Sequence, residues 1–145
     1  MKIKKLDHGY LLRLELGEEL KATLTAFANK EGIDGCFFHG LGGATSASLG
    51  IYRLDDDHEY HFMRFDGPLE VISLNGDISV SDGKRMVHCH ATISGSDLKV
   101  FGGHVDEILV GATCEIFMDT RVGKIERKQS DNVGLHLLDL EDYEL

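Results

Sequence analysis

The sequence contains little proline, no tryptophan and few basic side chains. Its 145 residues include one proline and 15 lysine plus arginine against 25 aspartate plus glutamate, so the formal net charge is −10. Binding to nucleic acid draws on clustered lysine and arginine and on the counterions that they release. The acidic balance therefore argues against general adhesion to DNA or RNA and leaves only small basic clusters, at residues 2–5 and 121–128, as local anchors.

Long apolar runs are also missing. No stretch approaches the ~20 apolar residues of a membrane-spanning helix, and residues 1–8 are charged and develop no signal-peptide core. We therefore expect a soluble, cytoplasmic protein with no membrane partner. Cys36, Cys89 and Cys114 are odd in number, lie in apolar strand-like contexts and form no Cys-x-x-Cys pair. This usage predicts buried free thiols.

The length and glycine content favour one strand-rich domain. A chain of this size can bury a substantial core by itself, and 17 glycines indicate many turns. One helix is predicted where Leu20, Leu24 and Phe27 recur at helical spacing, with Gly32 as a natural C-terminal stop. We expect a single domain over 1–145, with a C-terminal tail over about 123–145 that is acidic from residue 132 and has an apolar run at 135–140 that can dock.

Short segments rich in β-branched or aromatic residues surround this helix. They are 10–16, 34–39, 44–53, 59–65, 69–74, 86–93, 98–101 and 115–121, and the breakers between them are 40–43, 54–57, 75–77 and 81–84. Segment 106–113 is ambiguous between a strand and a helical turn. The pattern predicts an α+β fold, a mainly antiparallel sheet packed by one prominent helix.

Three histidines around one predicted hairpin indicate a metal site. His88 and His90 project from one face of a strand because side chains alternate with period two, and His104 returns beside them after the turn at 94–97. Three neutral imidazoles with an open fourth position are the usual protein ligands of a catalytic or exchangeable zinc site, and other divalent metals also fit. The alternative is chance clustering of ordinary strand histidines, since the chain has eight.

The hairpin register sets a condition on this hypothesis. With a tight turn centred on residues 95–96, His104 would face Val87, on the opposite side from the other two histidines. One extra residue in the return strand corrects this, and glycines at 102–103 accommodate a β-bulge at low cost. The metal hypothesis therefore predicts a bulge or an unusual turn here.

Two other segments carry weaker hypotheses. The glycines of 40–43 suggest a phosphate loop, but the Gly-Lys-Ser/Thr sequence and the following helix are missing, so a tight bend or a close backbone approach is favoured. His39, just before them, is an outer ligand, a substrate contact or a structural residue.

Glu70 is the one candidate catalytic residue. It lies in a strand predicted to be buried on both faces, where it would accept a hydrogen bond from the other ring nitrogen of a ligand histidine, act as a general base or form half of an intersubunit hydrogen bond.

Taken together, these segments resemble the plants-and-prokaryotes-conserved (PPC) domain in its stand-alone prokaryotic form. The residues that carry the resemblance are 37–44, 49–52, 67–76, 88–91 and 102–105, and the similar core spans about 11–118. The resemblance implies an α+β fold that assembles as a homotrimer. Similar prokaryotic members carry a three-histidine metal site, which maps onto His88, His90 and His104.

Plant relatives of this domain follow an AT-hook, whose Arg-Gly-Arg-Pro core grips the DNA minor groove. This chain has no such motif, and its one proline is Pro68. Segment 67–72 matches the partner-contacting segment of the plant domain, which implies an interaction role.

The sequence thus predicts a small homotrimeric metal-binding protein, with zinc or another divalent metal, and a candidate metal-dependent enzyme for an unidentified small substrate. The alternatives are a DNA-binding or DNA-associated regulatory module, and a module that holds a small-molecule ligand at the metal without turnover.

Overall fold

The computed structural model describes residues 1–54 and 58–143. Residues 55–57, most of the predicted turn 54–57, and the last two residues of the tail lie outside the described residues. The elements are β1 (Lys2–Leu6), β2 (Gly9–Glu15), α1 (Leu20–Glu31), β3 (Cys36–Arg53), β4 (Glu59–Ser81), β5 (Lys84–Ser94), β6 (Val100–Asp119), β7 (Glu126–Gln129) and β8 (His136–Leu138). A mainly antiparallel sheet with one helix confirms the predicted α+β class.

The four longest strands pair in a closed circuit. β3 pairs with β4 and β6, and β5 also pairs with β4 and β6. β1 and β2 extend the sheet from β6, whereas β7 joins the end of β4 in a parallel pairing and β8 follows β7. β5 and β6 pair only over 90–94 and 100–104, and α1 packs against both strands. The sheet therefore has an inner face that surrounds the core and an outer face that meets solvent.

The helix and one hairpin follow local sequence rules. α1 begins after Glu19, whose carboxylate accepts hydrogen bonds from the first-turn N–H groups of Lys21 and Ala22, and ends at Gly32 with a φ of 68°. The predicted turn at 81–84 is confirmed and connects β4 and β5 as a hairpin, with Asp82 and Gly83 both at positive φ. Within the described residues, no helix has the length and apolar character needed to span a membrane.

Several predicted boundaries are wrong because glycine inside a strand resembles a turn. Segments 34–39 and 44–53 form the single strand β3, and 75–77 lies inside β4. The glycines instead allow strands to approach closely: a Cβ on Gly40 or Gly42 would collide with backbone oxygens of β6. The expected close approach at 40–43 is confirmed, and the sharp bend is replaced by shifts in strand register. Segment 106–113 is part of β6.

Apolar side chains fill the inner face and the space beneath α1. Among the largest fully buried side chains are Leu14, Leu24, Ile78, Ile93 and Met118. The three cysteines are buried and free, as predicted. Cys89 is 1% exposed, so its neighbours His88 and His90 point to the outer face. The core pattern thereby sets the direction of the histidines.

Replacing Gly76 with alanine should destabilise the fold, because its Cβ would lie 2.6 Å from the Cys89 Cβ and from the Phe38 ring. We expect a loss of about 1–3 kcal/mol in the free energy of unfolding, measured by urea denaturation. Gly43→Ala is the matched control. Its Cβ would meet nothing closer than 3.6 Å, so equal losses in the two variants would contradict the close packing of β4 on β5.

Candidate metal centre

The hairpin of β5 and β6 brings the three predicted histidines together. His90 and His104 are direct cross-strand partners, and His88 lies two residues before His90 on the same face. Each ring offers a nitrogen, and these nitrogens lie within 4.8 Å of one another. The ring centroids are 5.2–5.4 Å apart. Nitrogens bound to one tetrahedral zinc lie roughly 3.4 Å apart, so modest ring movements would let all three share a cation.

The turn, and no bulge, sets the register that places His104. Ser94 pairs with Val100, which leaves residues 95–99 as the connection, and Leu98 within it has a φ of 58°. The pairing of 90–94 with 100–104 proceeds without a register shift. The sequence analysis predicted either a bulge or an unusual turn, and the unusual turn is confirmed. The bulge at 102–103 is wrong, because the longer turn already gives His104 the outward direction.

Burial favours the neutral form of two of the imidazoles. Desolvation, followed by the charge of neighbouring His88, lowers the pKa of His104 to about 4 and lowers that of His90 in the same direction. Metal binding requires the neutral ring. In addition, His104 Nδ1 is buried and has no hydrogen-bond partner among the described residues. Three converging ring nitrogens and an unsatisfied buried ring nitrogen both fit a divalent metal.

Asp77, which the sequence analysis placed in a turn, is the carboxylate beside this cluster. Its Oδ2 lies 3.3 Å from His88 Nδ1. Burial would raise the pKa of Asp77, but hydrogen bonds from His88 and Ser79 and the charge of Arg127 outweigh it and lower the pKa. If the predicted turn at 81–84 is treated as a hairpin, counting outward from it pairs residue 77 with residue 88, as the structure does. The sequence therefore contained a signal for this partner of His88.

Aromatic rings and two cavities border the cluster. The Tyr60 ring lies 4.4 Å from that of His104 and stacks on Phe62 at 5.4 Å. Burial raises the pKa of Tyr60. On this side a cavity of about 260 Å³ is lined by His90, His104 and the Tyr52 and Tyr60 rings. A second, of about 650 Å³, is lined by residues that include Phe37, His39, Asn75, His88, His90 and Phe117. The histidines can therefore be reached from both sides.

The two other sequence candidates lie outside the cluster. His39 lines the larger cavity. It pairs with Asn75 of β4, which in turn pairs with His90, so one strand separates it from β5. Glu70 pairs with Ser94, near the far end of β5, and is exposed. The expectation that its strand is buried on both faces is wrong, because only the inner face of the sheet is covered.

Comparisons with known proteins agree with this architecture. Residues 1–121 match the model of the Plants and Prokaryotes Conserved (PCC) domain. The chain is similar to a solved plant- and prokaryote-conserved (PPC) protein from Pyrococcus horikoshii, with 34% identity, coverage of 99% of this chain and 96% of that chain, and a TM-score of 0.85. A comparison with curated proteins finds no significant match.

Two further solved structures are similar. A metal-containing protein from Archaeoglobus fulgidus shows 33% identity, coverage of 97% of this chain and all of that chain (100%), and a TM-score of 0.83. A candidate DNA-binding protein from Ralstonia eutropha shows 26% identity, coverage of 97% and 96%, and a TM-score of 0.89.

Acid should destabilise the metal-free protein through the buried ring of His104. Its pKa is about 4 in the folded protein against an ordinary value of 6.5, so between these values the unfolded chain binds more protons. The free energy of unfolding should therefore fall as the pH drops from 6.5 towards 4. His104→Gln should show a smaller fall in urea midpoint between pH 7 and pH 5. An unchanged fall would contradict the burial of this ring.

Proposed function

The chain belongs to the Plants and Prokaryotes Conserved (PCC) domain family, and on that premise we propose that it holds zinc or another divalent metal on His88, His90 and His104. The observation that carries the proposal is the convergence of three ring nitrogens within 4.8 Å of one another. The similarity to a metal-containing protein from Archaeoglobus fulgidus supports it.

We further propose that the centre is open to a small molecule. Structural zinc sites have four protein ligands, whereas catalytic sites keep a position for water or substrate. Here the described residues offer three ligands beside two cavities. A bound divalent metal would supply Lewis acidity and a more acidic water. Asp77 would orient His88, and the Tyr60 and Phe62 rings would border the metal on one side.

The same arrangement suits two roles, turnover of a small substrate or reversible binding of a ligand. Glu70 is exposed and pairs with Ser94, at the opposite end of the β5–β6 pairing from His90. Nothing in its position therefore favours it as the general base. We therefore propose three metal ligands and assign no catalytic residue.

We also propose that the protein assembles with itself as a homotrimer, as its family resemblance implies. An outer patch of β1, β2, β3 and β6 supports this, because it presents the apolar side chains of Ile3, Leu11, Leu41 and Phe117 around a cavity of about 520 Å³. Contiguous exposed apolar surface of this kind is typical of protein interfaces.

Elemental analysis of the untagged protein tests the metal proposal. We expect about one divalent metal per chain in the wild type and none in the variant with His88, His90 and His104 replaced by alanine. Light scattering should give a trimer mass for both proteins. The control is His8→Ala, an exposed histidine on the β1–β2 turn, which should keep the metal.

Three results separate the possibilities. A folded wild type without metal, even after incubation with zinc, would overturn the metal proposal. Loss of the trimer together with the metal would make the site structural. A monomeric wild type with bound metal would overturn only the homotrimer.

A DNA-binding or DNA-associated regulatory role is the alternative function, favoured by the similarity to a candidate DNA-binding protein. A net charge of −10 opposes it. We expect no binding, or only salt-sensitive binding, of fluorescent duplex DNA at about 0.15 M salt. Tight binding that resists added salt would favour the alternative. Without it, recruitment by a partner protein, for example through segment 67–72, is the remaining regulatory role.

A further inference from the structure

The chain continues past the domain match, which ends at residue 121, and this C-terminal segment, residues 124–139, packs on the strand that carries Asp77. β7 pairs in parallel with the end of β4, and β8 pairs with β7. The Val80 N–H donates to the Ile125 carbonyl at 2.8 Å. The Tyr52 hydroxyl donates to the Val133 carbonyl at 2.6 Å. The segment is therefore fixed to the body beside the histidine cluster.

Arg127 of β7 points from this segment towards the cluster. Its side chain is 8% exposed and that of Asp77 is 7% exposed. The guanidinium is fixed at three points: Nε donates to Ser79 Oγ at 2.8 Å, Nη1 to the His136 carbonyl at 3.0 Å and Nη2 to Asp77 Oδ2 at 2.8 Å. A planar guanidinium held in this way has little freedom to turn. It fixes the position of the Asp77 carboxylate.

Asp77 in turn lies where it can determine which nitrogen of His88 carries the proton. His88 Nδ1 lies 3.3 Å from both Asp77 Oδ2 and Arg127 Nη2. A guanidinium can only donate, and Nη2 is closer to the carboxylate than to the ring. Nδ1–H can then donate to Oδ2, which leaves the Nε2 lone pair free for a metal. Without the carboxylate, Nδ1 would accept from Arg127, and the proton would move to Nε2.

We propose that Asp77 and Arg127 are positioning residues of the metal centre, so that the C-terminal segment completes the site. Asp77 holds His88 in the tautomer and orientation that present Nε2, and Arg127 holds Asp77. The inference rests on the proposed function, because it takes His88 as a ligand.

Zinc affinity, measured by competition with a chelator, provides the first test. We expect Asp77→Asn and Arg127→Gln to bind zinc about 10–100-fold more weakly than the wild type, the usual effect of losing such a partner of a ligand histidine. Arg64→Gln is the control. It breaks an ion pair of 3.0 Å with Asp66, on the part of β4 that pairs with β3 and away from the C-terminal segment, and should leave the affinity unchanged.

The single variants are expected to be less stable than the wild type, because removing one member of a buried ion pair leaves the other charge unpaired. The double variant Asp77→Asn/Arg127→Gln carries neither charge and keeps side chains of similar size. Circular dichroism establishes that each variant is folded before its affinity is compared. We expect the double variant to bind zinc as weakly as Asp77→Asn, since the two residues act in series.

The nitrogen-15 shifts of the His88 ring in metal-free protein provide a second readout that a merely structural role would not change. We expect the Nδ1–H tautomer in the wild type and a shift towards Nε2–H in Asp77→Asn. Unchanged tautomer and unchanged zinc affinity in folded variants would overturn the inference while the metal proposal stands. A wild type that binds no zinc would overturn the metal proposal, and the tautomer shift would still uphold the positioning of His88.

Discussion

The pairing of His90 with His104 across β5 and β6 is the constraint on which the site depends. Side chains alternate along a strand, so a slip of one residue would turn His104 to the inner face. Cys89 and Val105 are buried on that inner face, and their burial opposes such a slip. The turn at 95–99 supplies the length that the register needs. The packing that stabilises the core therefore also aims the histidines outward.

The surroundings of the histidine cluster favour the binding of a metal. Burial and mutual proximity hold the rings of His90 and His104 neutral, which is the state that a metal ligand requires. Asp77 and Arg127 beside the cluster carry charge, but they form a buried ion pair with each other and are not among the three candidate metal ligands. A divalent metal on three neutral nitrogens would keep its full double charge, so the open side of the site should favour oxygen donors and anionic groups.

Local rules made much of this fold predictable from the sequence. The α1 spacing, the hairpin at 81–84 and the alternation of His88 and His90 depend on neighbours in the chain. The merged strands β3 and β4 did not follow from local rules, because Asn75-Gly76-Asp77 has turn composition and only the packing of Phe38 and Cys89 explains its glycine. Arg127 was beyond local reasoning, since its partners lie 48 and 50 residues away.

X-ray absorption spectroscopy of the zinc-loaded protein tests the central claim most directly, because it counts and identifies the atoms bound to the metal. The account predicts three imidazole nitrogens and one further light atom, all at ~2.0 to 2.1 Å. The free cysteines are buried in the core, so no sulfur should be bound. A sulfur at ~2.3 Å, or fewer than three imidazoles, would contradict the account.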